Sequence, residues 1–501
     1  MAFLASLLEG SGHEVLSLTC SSDLPTCYNQ EAPRSLPTVV ECSMCRLSNL
    51  NGFAGISSST LGAFVTAPII PVEKDSDWRH SSASTLGRFE SDEDFEGDEF
   101  QEANRRLAGV PTIGFRAAAA WIERNQIDAL LVFNGRIDVT RGIFEAGLAA
   151  NIPTISMERA TFGDGIKLQP GENCIGLKSN NRIVKDFSSR CLTGPQAATA
   201  AMTMTARLDG TANGEWRRYG QSRSSGIKDK KIPTSRILFL PGSRNETFGH
   251  ADRTSEWSHP TDAIDRMIEM GFMRRRDLLV RFHPGWIDPI RGQSGEKPIA
   301  YYRDWCERKG INYLTSGSPV STYDLIDSAS VVLTAGSSAG VDAAFLGKAV
   351  VLIGAADYEE AGFTYNARSY ESLAGLGNLL ELRRDSRAQI RQALRFVYSA
   401  SRRVPQYVNE VSALSSSKFR YQASSAARLE RMISTGQLEP DDPVFSRSGT
   451  EERELVEQLL LGTWESGGAV PNAEGAEDFE LRRKGLWRVM DFFRSILSVR
   501  R

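Results

Sequence analysis

The sequence lacks a long, uncharged hydrophobic run. Its most apolar stretch, residues 329–356, contains Asp342 and Lys348 and is rich in glycine. It is therefore predicted to form a strand, a helix and a second strand rather than a membrane span. The first 20 residues also lack a basic region ahead of their apolar positions, which argues against a secretory signal peptide. These features predict a cytoplasmic location.

An excess of charge of either sign is missing too. Lys and Arg number 59 and Asp and Glu number 62, which gives a net charge of −3, so the composition does not predict a nucleic-acid-binding protein. The glycine-rich signatures of P-loop kinases and of dinucleotide-binding enzymes do not follow the predicted strands, and both classes are disfavoured. The length of 501 residues allows about two to three domains.

Short apolar runs alternate with helical segments through the C-terminal half. The strands predicted there are 236–242, 277–282, 311–314, 330–336 and 348–354. The N-terminal half repeats the pattern less regularly, with strands at 128–134 and 153–158. Alternation of this kind is typical of βαβ units and of a parallel sheet. The predicted fold class is therefore α/β.

Changes in composition predict the domain organisation. We expect an N-terminal α/β domain at 1–194 with an acidic insertion at about 75–104, a linker at 195–235, a C-terminal α/β domain at 236–435, a flexible linker at 436–475 and a basic amphipathic helix at 476–501. The acidic run ESDEDFEGDEF is typical of a solvated loop or a disordered insertion.

The C-terminal tail combines apolar residues at helical spacing with seven Arg and Lys residues. The apolar positions are Leu486, Val489, Met490, Phe493 and Leu497, with Trp487 beside them. A basic amphipathic helix of this kind suits an anionic membrane surface, which predicts peripheral binding to the inner face of the cytoplasmic membrane. Packing of the helix on its own protein or on a partner remains the alternative.

Two features follow predicted strands in the C-terminal half, where open parallel sheets bind ligands. His283 and Pro284 follow one strand, and Gly336, Ser337 and Ser338 follow another and open a helix. The unpaired amides of a helix start attract anions, and an imidazole can donate to a phosphate oxygen. Serine is also a routine helix cap, and a histidine after a strand is often a turn residue, so each signal alone is weak. Together they predict one anion site.

The stretch from RFHPG to about residue 365 resembles the C-terminal domain of bacterial surface-polysaccharide glycosyltransferases with the GT-B architecture, which has two Rossmann-like domains facing a cleft. Capsule polysaccharide biosynthesis proteins, including Kdo transferases, are the most similar in pattern. The matching elements are His283–Pro284, Ser321 with Leu325 and Ile326, Gly336–Ser337–Ser338–Gly340, Gly347–Lys348, and Gly354 with Tyr358 and Gly362. The resemblance implies that the donor's phosphate is bound by His283, Pro284, Arg281, Ser321, Gly336, Ser337, Ser338 and Gly340.

The N-terminal half resembles the acceptor domain of these enzymes in the phrases GSGHEV, NGR and MER. Such domains normally begin with a strand ahead of the helix with which this chain begins. The resemblance implies that Glu158 is the catalytic base, acting with His283, and that Asp138 and Asp164 are the alternative bases. Asn134, Arg136 and Arg159 are the expected acceptor-binding residues, although structural ion pairs would explain the two arginines equally well.

The function that the resemblance implies is transfer of a sugar from a CMP- or UDP-linked donor to a surface-polysaccharide or glycolipid acceptor, with no cofactor required for the transfer. Three alternatives remain. One is a CDP-polyol phosphotransferase of the teichoic-acid type, one is a non-catalytic GT-B-like scaffold in capsule assembly, and one is a sugar-nucleotide epimerase that needs no acceptor.

Seven cysteines in a chain without a secretory signal argue for reduced thiols or a metal site rather than for a disulfide scaffold. Four of them have the spacing C-x6-C-x14-C-x2-C, and they are Cys20, Cys27, Cys42 and Cys45. The C-x2-C pair is typical of metal ligands, so structural zinc or an iron–sulfur cluster is one interpretation. Incidental free thiols are the other.

Overall fold

Strands and helices alternate along most of the chain. The structure is a computed structural model that describes residues 1–31, 37–52, 56–65, 98–209, 235–242, 250–287, 295–382, 385–413 and 419–465. The strands are β1 (Leu16–Thr19), β2 (Ser57–Thr60), β3 (Leu130–Phe133), β4 (Thr154–Arg159), β5 (Ile166–Pro170), β6 (Ile237–Leu240), β7 (Leu278–Arg281), β8 (Asn312–Leu314), β9 (Val331–Thr334), β10 (Ala349–Leu352), β11 (Thr364–Asn366), β12 (Val411–Ala413) and β13 (Phe419–Tyr421).

The helices fill most of the intervals between these strands. They are α1 (Ala2–Gly10), α2 (Tyr28–Glu31), α3 (Thr38–Gly52), α4 (Asp98–Leu107), α5 (Val110–Asn125), α6 (Asp138–Ala149), α7 (Lys178–Ser188), α8 (Gly194–Leu208), α9 (Pro260–Glu269), α10 (Glu296–Lys309), α11 (Thr322–Ser328), α12 (Ala339–Phe345), α13 (Tyr370–Ala374), α14 (Ser386–Tyr398), α15 (Ala427–Thr435) and α16 (Thr450–Leu461).

The C-terminal half is built on a six-stranded, all-parallel sheet. Its strands lie in the order β11-β10-β9-β6-β7-β8. The four central strands are buried along their whole length, as continuous apolar runs in a sheet covered on both faces must be. Alternate residues of these strands enter two separate cores, one on each face. The predicted α/β class is confirmed.

The N-terminal half has smaller sheets. Strand β3 pairs with β4 in parallel, β4 pairs with β5 antiparallel, and β1 and β2 form a separate parallel pair. Helices α5 and α6 pack against each other beside β3. The N-terminal half therefore forms a second, smaller α/β unit.

The two halves exchange segments. Helix α8, which the sequence analysis placed in a linker, buries Ala200, Ala201 and Met204 in the C-terminal core. The residues after α14, assigned to the C-terminal domain, instead complete the N-terminal core, where Tyr407 and Leu429 pack with Leu168 of β5. With α16, which returns to the C-terminal core, the chain crosses between the two halves three times.

The final described residues are also packed, although a flexible linker was expected at 436–475. Leu438 is fully buried in the N-terminal core, and α16 contributes Leu455 and Val456 to the C-terminal core. Two other expectations fall largely or wholly outside the described residues: most of the acidic insertion, of which only 98–104 is seen within α4, and the basic helix at 476–501. Within the described part of the chain, no helix combines the length and the apolar character that crossing a membrane requires.

Candidate functional site

Five parallel strands of the C-terminal sheet end on the same side of the sheet, and their last residues are aligned in the register. The register pairs Leu240 with Thr334, Thr334 with Leu352, and Arg281 with Leu314, while Phe239 pairs with Val280. The residues two positions beyond this level are Ser316, His283, Gly242, Gly336 and Gly354. The register therefore brings the histidine turn and the serine turn to the same edge of the sheet, with the end of β6 between them.

The turns after β9 and β10 lie backbone against backbone. Gly336 has a φ of +107°, and a Cβ there would lie 2.5 Å from the carbonyl oxygen of Ala355. A Cβ on Gly354 would lie 2.6 Å from the carbonyl oxygen of Ala335. Both positions require glycine because no side chain fits between the two turns. This part of the edge therefore presents main chain rather than side chains.

The hydroxyls of the serine turn have partners within the protein. The Ser337 Oγ accepts from the Ala339 N–H at 3.3 Å, and the Ser338 Oγ accepts from the Arg207 Nη2 at 2.8 Å. The Tyr358 hydroxyl donates to the Ser337 carbonyl oxygen at 2.6 Å. The Ser337 hydroxyl therefore stabilises the turn ahead of α12, whose N-cap residue is Ser338 without a side-chain cap. The turn is also held by groups from α8 and from the loop after β10.

Arg207 supports the serine turn from behind. Its guanidinium forms a two-pronged ion pair with Asp342 of α12, at 2.7 and 3.0 Å, and both side chains are buried. Burial lowers the pKa of Arg207, but the charge of Asp342, its hydrogen bonds and the charge of Tyr323 together outweigh burial, so the pKa is raised overall. The pair links α8 to the helix that follows the serine turn.

We expect Arg207→Met to lower the free energy of unfolding by about 3–5 kcal/mol, because it leaves the Asp342 carboxylate buried without its partner. Adding Asp342→Leu should recover most of the loss, since an apolar pair of similar volume can replace a buried ion pair. Urea unfolding measures both. The matched control is Arg387→Met, which removes an exposed partner of Glu457 and should cost less than about 1 kcal/mol. An equally small loss at Arg207 would contradict this role.

The histidine turn is local and half-buried. The Nδ1 of His283 accepts from the Gly285 N–H at 3.1 Å and so caps a short 3₁₀ turn that begins at Pro284. The ring also contacts Trp286, with 6.0 Å between centroids. Because Nδ1 is an acceptor, a neutral ring carries its proton on Nε2, the tautomer that can donate to an anion.

Arg281 adds a buried positive charge to the same edge. Only 4% of the residue is exposed. Its guanidinium donates to the carbonyl oxygens of Thr315 and Ser318. Burial lowers its pKa to about 10, and no carboxylate in the described part of the chain counters that effect. Ser321, another predicted donor ligand, caps α11 through the Tyr323 N–H at 3.2 Å. Arg281 therefore makes the edge electropositive, and Ser321 has a structural role.

The predicted acceptor residues gather at the ends of β3 and β4. The Asn134 Nδ2 donates to Glu158 at 3.1 Å, and the Asn134 Oδ1 accepts from the Arg136 N–H at 3.1 Å. The Arg159 N–H donates to the other Glu158 oxygen at 3.1 Å. Asn134 has a φ of +65°, which places it in a tight turn. The structure thus brings together Asn134, Arg136, Glu158 and Arg159.

The two alternative bases lie elsewhere. Asp138 is 1% exposed and accepts from the Tyr28 N–H at 2.6 Å, so its carboxylate orders the chain around α2. Asp164 lies in the turn between β4 and β5. Glu158 is half-buried at the end of β4 and is the predicted base that lies within the acceptor group.

Sequence reasoning missed a set of charged residues where the two domains meet. Arg253 pairs with Asp357 at 2.5 Å and donates to the carbonyl oxygen of Ile175 at 3.0 Å. His250 lies near Arg253, Arg141 and Arg136. Burial is the main cause that lowers its pKa to about 4, so this imidazole is neutral at pH 7. These residues occupy loops, where no periodicity reveals them, although position after a strand would have pointed to the loop of Asp357.

The predicted cysteine ligands do not form a metal site among the described residues, all four of them included. No group of three or more His, Cys, Asp and Glu side chains is placed there as a metal would require. The Cys42 Sγ accepts from the Gln30 Nε2 at 3.3 Å. Burial raises the pKa of Cys27 to about 11, so that group is a thiol rather than a thiolate. None of the seven cysteines, all of them in the described part of the chain, forms a disulfide.

No protein-family model and no curated protein matches the chain. Among solved structures it is similar to Thermosulfurimonas dismutans KpsC, beta Kdo 2,4 transferase, at 12% identity and a TM-score of 0.34, over 67% of this chain and 87% of that one. It is also similar to the Thermosulfurimonas dismutans KpsC, beta Kdo 2,7 transferase, at 11% identity and a TM-score of 0.35, over 70% of this chain and 90% of that one. A third similar structure is the Neisseria meningitidis UDP-GlcNAc 2-epimerase bound to UDP-GlcNAc, at 13% identity and a TM-score of 0.29, over 77% of this chain and 97% of that one.

At these identities and TM-scores the likeness carries no argument about the domain arrangement, the substrate or the residue roles of this chain.

Proposed function

We propose that the protein is a glycosyltransferase that moves a sugar from a nucleotide-linked donor to a glycan or glycolipid acceptor. One observation supports the proposal most strongly. The C-terminal ends of neighbouring parallel strands are aligned, and the residues that follow them include His283, Gly242, Gly336 and Gly354. Open parallel sheets bind phosphate-bearing ligands at this edge. Main chain that no side chain covers, an imidazole and the buried guanidinium of Arg281 suit a diphosphate or a nucleotide monophosphate.

The acceptor would bind the N-terminal domain. Glu158 would take the proton of the attacking hydroxyl, with its carboxylate oriented by Asn134 and by the Arg159 N–H. His283 would stabilise the charge that develops on the leaving phosphate. Every step uses side chains present in the chain, and the transfer needs no bound cofactor.

A thermal-shift screen with CMP, UDP, GDP and CDP tests the donor half of the proposal. A nucleotide bound at 100 times its Kd stabilises the folded state by about 2.7 kcal/mol, so a clear rise in Tm is expected with CMP or UDP. A preference for CDP-glycerol over nucleotide sugars would favour the polyol phosphotransferase. A shift with none of these compounds would favour the non-catalytic scaffold. Conversion of a free UDP-sugar without acceptor would favour the epimerase.

We further propose that the basic C-terminal tail docks the enzyme on an anionic membrane surface, where a lipid-linked acceptor would lie. Deleting residues 476–501 should move the protein from the membrane fraction to the soluble fraction. Replacing Leu486, Met490 and Phe493 with serine, which keeps every positive charge, should have the same effect because the apolar face is lost. Retention of either variant on the membrane would favour packing of the tail on protein.

A further inference from the structure

A cavity lies where the two domains meet, outside the residues assigned above. The space inside it is small, about 30 Å³, which is room for about two water-sized groups and so for a short polar arm rather than a whole sugar ring. Its walls come from the turn after β4, from β5 and α7 in the N-terminal domain, from the loop after β10, and from the end of α14. Phe162 and Phe396 supply apolar walls and contact each other edge to face, with 6.0 Å between ring centroids. Apolar walls with a few polar groups are typical of a ligand site.

Lys167 and Asp357 bring opposite charges to this cavity. The Lys167 ammonium donates to the carbonyl oxygen of Cys174 at 3.0 Å and is 7% exposed as a residue. The Asp357 Oδ1 binds Arg253, and a third of its side chain is exposed. Arg253 first and Lys167 second lower the pKa of Asp357 against its burial, yet Lys167 and Asp357 form no direct ion pair. A donor and an acceptor therefore share the cavity without bonding to each other.

Asn180 adds a second acceptor. It lines the cavity and is 4% exposed, and its Oδ1 has no hydrogen-bond partner in the structure. Buried polar atoms without a partner are uncommon and costly. A group that reaches the cavity and donates to this oxygen would recover that cost.

We propose that this cavity binds a hydroxyl-bearing arm of the acceptor sugar, which makes Lys167, Asp357 and Asn180 specificity-determining residues. A hydroxyl both donates and accepts, so it can accept from the Lys167 ammonium and donate to Asp357 or to Asn180. A ligand carboxylate would be repelled by the two acceptors, Asp357 and the Asn180 oxygen. A ligand ammonium would be repelled by the positive charge of Lys167. The lining charges of Lys167 and Asp357 also cancel, which favours a neutral group.

The position of the cavity fits the proposed reaction, on which this inference rests. Lys167 lies directly opposite Glu158 in the β4–β5 register, so the two side chains are on the same face of the sheet. Asp357 precedes Tyr358, whose hydroxyl holds the serine turn. An acceptor arm bound here would therefore lie between the proposed base and the proposed donor site.

Saturation-transfer NMR on the full chain tests the inference with three probes, the methyl α-glycosides of glucose, galactose and mannose. At least one should bind the wild type at millimolar concentration. Lys167→Met and Asn180→Leu should each weaken that binding by about tenfold or more, as loss of a hydrogen bond to a charged or a buried group predicts. The matched control is Lys178→Met, which removes the same charge from the exposed start of α7 and should leave binding unchanged.

Absence of binding to the wild type, or equal binding by the wild type and both cavity variants, would overturn the inference. The nucleotide thermal shift, measured on the same samples, separates this failure from failure of the proposed function. If a nucleotide binds but no glycoside depends on Lys167, the acceptor cavity is wrong and the donor site stands. If glycosides depend on Lys167 and no nucleotide binds, the cavity stands as a sugar site and the transferase proposal fails.

Discussion

Glu158→Gln is expected to lower the turnover of sugar transfer by about 10²–10⁴-fold, the range that a positioned general base contributes. Glutamine has nearly the same shape and can still accept from the Asn134 Nδ2 or the Arg159 N–H. It carries no charge and cannot take the proton of the acceptor hydroxyl. The affinity for the donor nucleotide should be unchanged, because Glu158 lies in the other domain.

The measurement compares kcat with acceptor present and the nucleotide Kd, for wild type and variant. Glu123→Gln, on the exposed face of α5, is the matched control and should retain full turnover. A Glu158→Gln protein with normal kcat would remove this residue from the chemistry. A variant that loses nucleotide binding as well would place Glu158 in the donor site instead.

His283→Ala is expected to lower turnover by about 10²–10³-fold, the effect of removing one donor that stabilises charge in the transition state, and to weaken nucleotide binding. The same change removes the cap on the Gly285 N–H, so loss of activity alone would not distinguish the two roles. His283→Asn does, because asparagine is an efficient cap and turn residue that cannot become a cation.

The asparagine variant should therefore recover the thermal stability that alanine loses, yet keep the defect in nucleotide binding and turnover. His13→Ala serves as the control, since His13 is exposed and pairs with Glu430. If asparagine restores activity together with stability, His283 is a turn residue and nothing more. Titration gives an independent measure, because a bound phosphate should raise the pKa of an adjacent imidazole.

The central strands could be predicted because burial on both faces of a parallel sheet leaves a continuous apolar run. The predicted strand 236–242 is β6 and 330–336 is β9, each longer than the observed strand by one or two residues per end. The same logic placed His283 and the serine turn at strand ends. The sequence pattern could not predict that these strand ends are aligned with one another, because the alignment depends on the order of the strands in the sheet.

Ion pairs between residues far apart in the sequence could not be predicted from local sequence patterns. Arg253 and Asp357 meet across a long sequence separation, and no local pattern records that meeting. Arg395 and Glu452 are both buried because they pair with each other at 2.7 Å, although each reads as a surface residue in the sequence. The same limitation explains why the segment 436–465 was predicted to be part of a flexible linker. Its polar residues form hydrogen bonds with residues far away in the sequence, as Asp442 does with the Gln196 Nε2.

The return of the chain after α14 has a consequence for biosynthesis. The N-terminal core contains Phe3 and Leu4 from the first helix, and the same core needs Tyr407, Leu429 and Leu438 from near the other end. A ribosome must therefore add more than 400 residues after α1 before this core can close. Until then α1 has an uncovered apolar face, which is the period in which a chaperone would be needed most.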